Sequence, residues 1–407
     1  MPHIRRRYIE SILKNGLRHK GIVGVFGHRQ VGKTTLLELL SKRYSTLDRR
    51  IELTRAEENP EAFLAGLYGG PGGGPAAIDE CQLSPILFPE LKEFVRNHKE
   101  PGIFLLSGSV RFSSRKAIRE SLMGRILTYE LLPFSVSELN QRPLNTLALD
   151  LMNCLDLRRI DFRKYHSRAK GLARNKEAKK YLKLGGLPGL CFTRNERARI
   201  DLMESQLDLV LDRDLRLVCS TNLEPSRLRI VVQILAENQN QPLNLAEIAR
   251  KTRISQPTLK KILAGLEAIF FVRQIPCEGD EARPILFFED QGEAFYLSGK
   301  RYDEADDLER LAFAHLRIPF AYAPGLAFQC FQYRRQGGAY VPIAFKSGEK
   351  TIGFICSLTE TPSLSAIRSA GSFLRSYPGS SVIHLHPFQK PSILGAREAS
   401  LPMEYFL

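Results

Sequence analysis

The sequence predicts an α/β fold built on a parallel sheet, and three short apolar segments predict it. Residues 21–27 (GIVGVFG) end in glycine, Ala76 to Ile78 run into Asp79 and Glu80, and Ile103 to Leu106 run into Ser107-Gly108-Ser109. Each is apolar throughout, as a strand covered on both faces must be. Helical patterns follow or separate them, at residues 36–43, 86–97 and 113–123. Strands alternating with helices imply parallel pairing. Ligands of such sheets sit beyond the carboxyl ends of the strands, so the polar endings at 27, 79 and 107 should face one crevice.

The chain has 407 residues, which is long for a single core. Its patterns divide it into an α/β core at 1–145, a helical basic segment at 146–222, a compact unit with winged-helix patterning at 223–284 and a smaller α/β domain at 285–407. The glycine-rich run at 69–75 has no GK[ST] ending and leads into a strand, so it reads as a connector. No stretch approaches the eighteen apolar residues of a membrane span, and Met1 to Glu10 lacks the apolar segment of a signal peptide. A cytoplasmic protein is expected. Seven scattered cysteines, with no CxxC pair, read as thiols rather than as metal ligands. The net charge of +15 favours a polyanionic partner. The excess is dense between Arg158 and Lys183, where eleven Lys or Arg face two acids; charge runs of this kind are also found as solvated surface.

Gly27-His28-Arg29-Gln30-Val31-Gly32-Lys33-Thr34 matches G-x-x-x-x-G-K-[ST] without a mismatch. The glycines allow a tight turn whose N–H groups converge on phosphates, and the following helix adds its positive end. A nucleoside triphosphate with Mg²⁺ is therefore expected, held by residues 27–34 and Thr35. Lys33 should reach the β- and γ-phosphates, and the Thr34 hydroxyl should ligate the metal. Ala76-Ala77-Ile78-Asp79-Glu80 has the form of the strand that completes such a site. Asp79 should hold Mg²⁺ and Glu80 should polarise the attacking water. Ser107 and Ser109 lie where a hydroxyl can meet the γ-phosphate or the water, although hydroxyls also cap helices there.

The order GHRQVGKTTL, IDECQ, FLLSGS, ESLMGR and YELLPFSVSEL resembles the AAA-superfamily ATPases of archaea and bacteria that carry a winged helix and a C-terminal domain of unknown function. GGLPGL at 185–190 and LDLVLDRDL at 207–215 resemble the helical segment of that group. The resemblance implies ATP rather than GTP. It also offers a role for Arg125, as a cation for the γ-phosphate in this or a neighbouring subunit, beside the alternative of a structural ion pair. Oligomerisation is left open.

Residues 245–263 have helix-turn-helix spacing. Leu245, Ile248 and Ala249 form one apolar face, Ile254 sits in the turn, Ser255 is a natural N-cap, and Leu259, Ile262, Leu263 and Leu266 continue the face. Phe270, Phe271 and Val272 fit a wing strand. Such units place their second helix in the DNA major groove, where Lys260 and Lys261, with Arg250, Lys251 and Arg253, would meet phosphates. The competing reading is an internal lid that senses the nucleotide.

In the resembling family the C-terminal part is similar to a restriction-endonuclease fold with an acidic metal site. Here Tyr333 to Pro342 and Ile352 to Ser357 lack the expected acids and lysine, so no nuclease activity is expected. Two function classes follow: an ATP-driven switch on nucleic acid, through the winged helix and residues 158–183, or an ATP-dependent scaffold for protein partners.

Overall fold

The computed structural model describes residues 4–111, 124–162, 165, 171–279, 283–299 and 302–407. The helix expected at 113–123 and part of the basic segment (163–164 and 166–170) lie outside the described residues. No helix among the described residues is long and apolar enough to cross a membrane.

Five parallel strands form the first sheet: β1 (Ile22–Gly27), β2 (Arg43–Thr46), β3 (Ala76–Asp79), β4 (Phe104–Gly108) and β5 (Ile126–Leu131), in the order β2-β3-β4-β1-β5. Alternation along β1 sends Val23 and Val25 into one hydrophobic cluster and Ile22 and Phe26 into the other. The sheet is thus covered on both faces. Its helices are α1 (Ile9–Leu17), α2 (Lys33–Leu40), α3 (Arg50–Glu58), α4 (Pro60–Leu67) and α5 (Leu87–His98). This order seats β4 between β1 and β3, so Ser107 and Ser109 fall between the phosphate loop and the acids Asp79 and Glu80.

A helical stretch follows, with α6 (Val136–Leu139), α7 (Leu147–Asn153), α8 (Lys176–Leu184), α9 (Pro188–Cys191), α10 (Glu196–Asp208), a π-helical turn (Leu209–Asp214) and α11 (Leu215–Val218). Its apolar residues are divided between two cores. Leu147, Leu151, Leu157, Phe162 and Tyr181 pack with the C-terminal sheet, whereas Leu187, Leu190, Met203, Leu207 and Leu211 join the cluster beside β1.

Next come α12 (Pro225–Glu237), α13 (Leu245–Thr252) and α14 (Gln256–Ala268). The Ser255 side chain accepts from Thr258 N, which satisfies one of the orphan amides at the start of α14. Strands β6 (Val272–Ile275) and β8 (Ile285–Phe288) pair antiparallel, and Pro242 bridges to Ile285. Pairing starts only at Val272. Phe270 and Phe271 form the turn before it, because Phe270 takes φ 58, a left-handed conformation that ends α14 rather than opening a strand.

Between them β7 (Cys277–Gly279) leaves the hairpin and pairs in parallel with β9 (Gln329–Arg334). Strands β10 (Tyr340–Ser347), β11 (Lys350–Cys356), β12 (Ser381–His386), β13 (Ser392–Ile393) and β14 (Glu398–Pro402) complete a seven-stranded sheet ordered β13-β14-β12-β11-β10-β9-β7. Helices α15 (Gln291–Ser298), α16 (Glu304–Ala321) and α17 (Leu364–Ser376) accompany it. Where the nuclease acids were sought, the Tyr333 hydroxyl lies 2.9 and 2.8 Å from those of Ser372 and Ser376. Among the described residues no three of His, Cys, Asp and Glu come together as a metal site.

Candidate nucleotide site

The loop 27–34 joins β1 to α2 at the carboxyl edge of the sheet. Gly27 is required by close approach, since a Cβ there would lie 2.5 Å from the Leu131 carbonyl oxygen. Gly32 takes φ 100 at the cap of α2, a conformation open to glycine at little cost. Lys33 is only 5% exposed. Its ammonium donates to the carbonyls of Gly27 and His28 at 3.0 and 2.9 Å. Burial pulls its pKa down, against the attraction of Glu80, Asp79 and Asp214. A buried cation whose partners are the carbonyls of its own loop is poised to exchange them for phosphate oxygens.

Asp79 stands at the end of β3, 2% exposed. It accepts from Thr34 Oγ1 at 2.6 Å, from Tyr44 Oη at 2.8 Å and from the Ser107 hydroxyl. Carboxylate and hydroxyl together offer the hard oxygen donors that Mg²⁺ takes, so the residues fit that ion. Glu80 follows at φ 55. Its carboxylate accepts from Ser109 Oγ at 3.2 Å and from the Gln82 amide, and Gln82 Nε2 lies 3.1 Å from Ser109 Oγ. The acid is thereby held over the crevice by β4 and the turn after β3.

The side chains of His28 and Arg29 turn away from the phosphate side of the loop and clasp later parts of the chain. His28 Nε2 lies 3.0 Å from Glu293 Oε2 of α15, both fully buried, and its ring stacks near Phe271. Gln206 of α10 donates to the other Glu293 oxygen at 2.5 Å. Burial opposes charging of the His28 ring, yet Glu293 beside it holds the pKa up at about 8. Arg29 Nη1 meets Asp214 of the π-helical turn at 3.1 Å. What these two residues can offer a phosphate is their backbone N–H. Gln30 takes φ 58. Val31 is buried, and its carbonyl accepts from Arg7 Nη1 at 2.9 Å. Arg7 also reaches Glu138 at 3.2 Å, so the start of the chain is pinned to the loop. Nothing in the spacing of the N-terminal arginines marked Arg7 for this.

Beside Gly32 and Thr35 lies a cavity of about 330 Å³ lined by Ile4, Leu36, Leu39, Phe134, Pro188 and Phe192. An apolar slot adjoining a phosphate loop suits a flat heteroaromatic base. Sequence reading missed it because its walls come from four separate segments.

Arg125 is elsewhere. It precedes β5, whose Ile126 pairs with Ile22 at the amino-terminal end of β1. The phosphate loop begins at the other end of β1, five residues on, or about 17 Å at the usual strand rise. Within this chain Arg125 does not face the crevice, which leaves the neighbouring-subunit role and the structural ion pair of that expectation. A different arginine connects the site to the rest of the molecule. Arg111, just past β4, donates from its backbone to Ala268 O at 2.7 Å and from Nε to Glu267 O at 2.8 Å, the terminal carbonyls of α14. It also pairs with Glu130 and Glu289, each at 3.0 Å.

Residues 19–140 match the profile of the AAA domain, and residues 175–287 match a domain of unknown function. An uncharacterized protein of Mycobacterium tuberculosis is 26% identical over 386 residues, covering 90% of this chain and 77% of that protein; its Mycobacterium bovis counterpart gives the same figures. Among solved structures, a signal transduction ATPase with numerous domains and a tetratricopeptide repeat sensor, from Pyrococcus horikoshii, matches with 14% identity and a TM-score of 0.28. The match covers 79% of this chain, which spans 47% of that longer one.

Proposed function

Starting from a chain whose first domain is a P-loop core of the AAA type, we propose that it binds ATP with Mg²⁺, hydrolyses it, and uses the cycle to switch a winged-helix module on nucleic acid. One observation carries the proposal: Lys33, Thr34, Asp79 and Glu80 meet at one crevice, joined by the hydroxyls of Ser107 and Ser109. Lys33 neutralises the outer phosphates, and Thr34 with Asp79 holds the metal. A Mg²⁺ held by Thr34 and Asp79 would supply the positive charge that offsets charge developing on the leaving group. Glu80 accepts a proton from the attacking water, with Ser109 and Gln82 fixing its carboxylate. The apolar slot beside Thr35 takes the adenine.

The nucleic-acid part rests on α14. Lys260 and Lys261 are exposed on its outer face while Leu259, Ile262, Leu263 and Leu266 are buried. Arg111 follows Ser109 by two residues and donates to the last carbonyls of α14, so a shift at the γ-phosphate has a short route to that helix, covalent as far as Arg111 and hydrogen-bonded beyond it. Residues 223–284 are read as the winged helix on their element order, and α14 as its groove-reading helix.

The test is turnover by variants. Lys33→Ala should abolish nucleotide binding. Glu80→Gln should bind ATP normally yet turn over about 10²–10⁴-fold more slowly. Wild-type turnover by Glu80→Gln would assign the base to another residue. Nucleic-acid binding should weaken steeply with salt, whereas salt-insensitive capture of one protein would favour the scaffold reading.

A further inference from the structure

The crevice as described is short of positive charge. Arg29 is taken up by Asp214, which leaves Lys33 as one cation beside the two anions Asp79 and Glu80. An ATP–Mg²⁺ complex brings a further net negative charge of about two units. Arg125 stands at the other end of the sheet. Arg7 is spent on Val31, Leu132 and Glu138, and Arg111 on Glu130, Glu289 and α14.

We propose that Arg213, from the π-helical turn, is the cation that this chain supplies to the terminal phosphate. The proposal deepens the nucleotide-binding reading and rests on it. Three observations support it. First, Arg213 Nη2 donates to Asp48 Oδ1 at 2.5 Å. Asp48 lies two residues past β2, whose Thr46 pairs with Asp79, so the guanidinium is held over the same strand ends as the phosphate loop. Second, the next residue is anchored to the phosphate loop: Asp214, 3% exposed, grips Arg29. Third, the Arg213–Asp48 pair is 40% and 41% exposed, the weakly bound kind that exchanges partners easily. The field at Arg213 includes Glu80 and Asp214 besides Asp48, so the guanidinium already senses the acid assigned to the water. A π-helical turn holds an extra residue in its ring and recurs at functional positions. Here it sends consecutive side chains to different tasks, Asp214 inward and Arg213 to the rim.

A merely structural bridge and a phosphate contact make opposite demands on Asp48, and the experiment uses this. Binding of ADP and of a β,γ-methylene ATP analogue is measured for the full chain and for Arg213→Ala, Arg213→Lys and Asp48→Asn, alongside ATP turnover. The charge-assisted contact predicts that Arg213→Ala loses about tenfold or more of the preference for the triphosphate over ADP. Turnover by Arg213→Ala should fall about 10²–10³-fold, with Arg213→Lys in between. Asp48→Asn, which frees the arginine, should keep or raise both quantities. If Asp48→Asn and Arg213→Ala fall together, the pair is only a bridge and the proposal is overturned. It is equally overturned if Arg213→Ala leaves the triphosphate preference unchanged. Failure of the hydrolysis reading looks different. A wild-type chain that binds the analogue but never turns over would sink that reading, while the binding ratios still decide the role of Arg213.

Discussion

Glu80 takes φ 55 and ψ 41, and Gln30 takes φ 58; each costs a residue with a Cβ about 1 kcal/mol or more. Both lie at the phosphate crevice, where the surrounding contacts hold them in place. Glu80→Gly should therefore lose turnover while keeping or slightly gaining thermal stability. A fall of several degrees in Tm would mean that the bonds to Gln82 and Ser109 outweigh the relieved strain. His28 permits a prediction with a sign. Its pKa rises from 6.5 to about 8 on folding, which corresponds to about 2 kcal/mol. A raised pKa favours the protonated native state, so this stabilisation is fully present below pH 6.5 and lost as pH climbs through 8. Asp290 nearby, pushed up to about 6 by burial and by Glu293, tilts stability the same way at lower pH. The Tm difference between the wild type and His28→Gln should shrink between pH 6 and 9; a constant difference would remove the ion pair from the account. At this scale the sequence was readable wherever a motif is local. Lys33, Thr34, Asp79 and Glu80 meet as their spacing implied. The side-chain partners of His28 and Arg29, such as Asp214 at 185 positions' distance, were not legible, because no spacing within the loop encodes them.

Elements were legible where burial was two-sided. Strands β1, β3 and β4 are buried throughout and read as apolar runs. By contrast β2 and β5 lie at the sheet edges and are mostly half-buried; β2 is polar and β5 is interrupted by Thr128 and Glu130, so neither reads as an unbroken apolar run. The motif GGLPGL shows how an element junction depends on missing side chains. A Cβ on Gly186 would sit 2.2 Å from the Phe134 carbonyl oxygen, and one on Gly185 would overlap Asp290, whose carboxylate accepts from Gly186 N at 2.6 Å. Gly186→Ala should cost about 1–3 kcal/mol through overpacking. Gly66, inside α4 with open space around it, should do the reverse, Gly66→Ala gaining roughly 0.5–1 kcal/mol. Chemical denaturation of the two variants tests the contrast directly. On α14, reversing Lys260 and Lys261 to glutamate should weaken duplex DNA binding and lower the salt slope by about one for each phosphate no longer neutralised. Reversing Lys179 and Lys180 of α8, also exposed, tests the basic segment in the same way. An unchanged slope in both pairs would assign the charge to solvated surface.

Across the whole molecule, one buried acid collects the parts. Glu289 accepts from Arg111 just past β4, Arg273 of β6 and Arg317 of α16. Despite burial, the attraction of Arg273, Arg317 and Arg111 holds its carboxyl well below the usual range. Removing that charge by Glu289→Gln leaves three arginines crowded together, which should cost about 3–5 kcal/mol as measured by urea unfolding. No sequence pattern announced this cluster, because its members are spread over two hundred positions and each reads alone as ordinary surface charge. The division of the helical stretch between two cores has a consequence for how the chain is made. Leu147, Leu151, Leu157 and Phe162 belong to a cluster that is completed by α16, β10, β11, β12 and β14, which leave the ribosome last. The first sheet can close as soon as β5 has emerged, whereas those four residues must wait, with most of their core missing, through the synthesis of more than a hundred others. Nascent chains halted near residue 285 should therefore be captured by chaperones through this one stretch, and replacing its leucines with polar residues should release them.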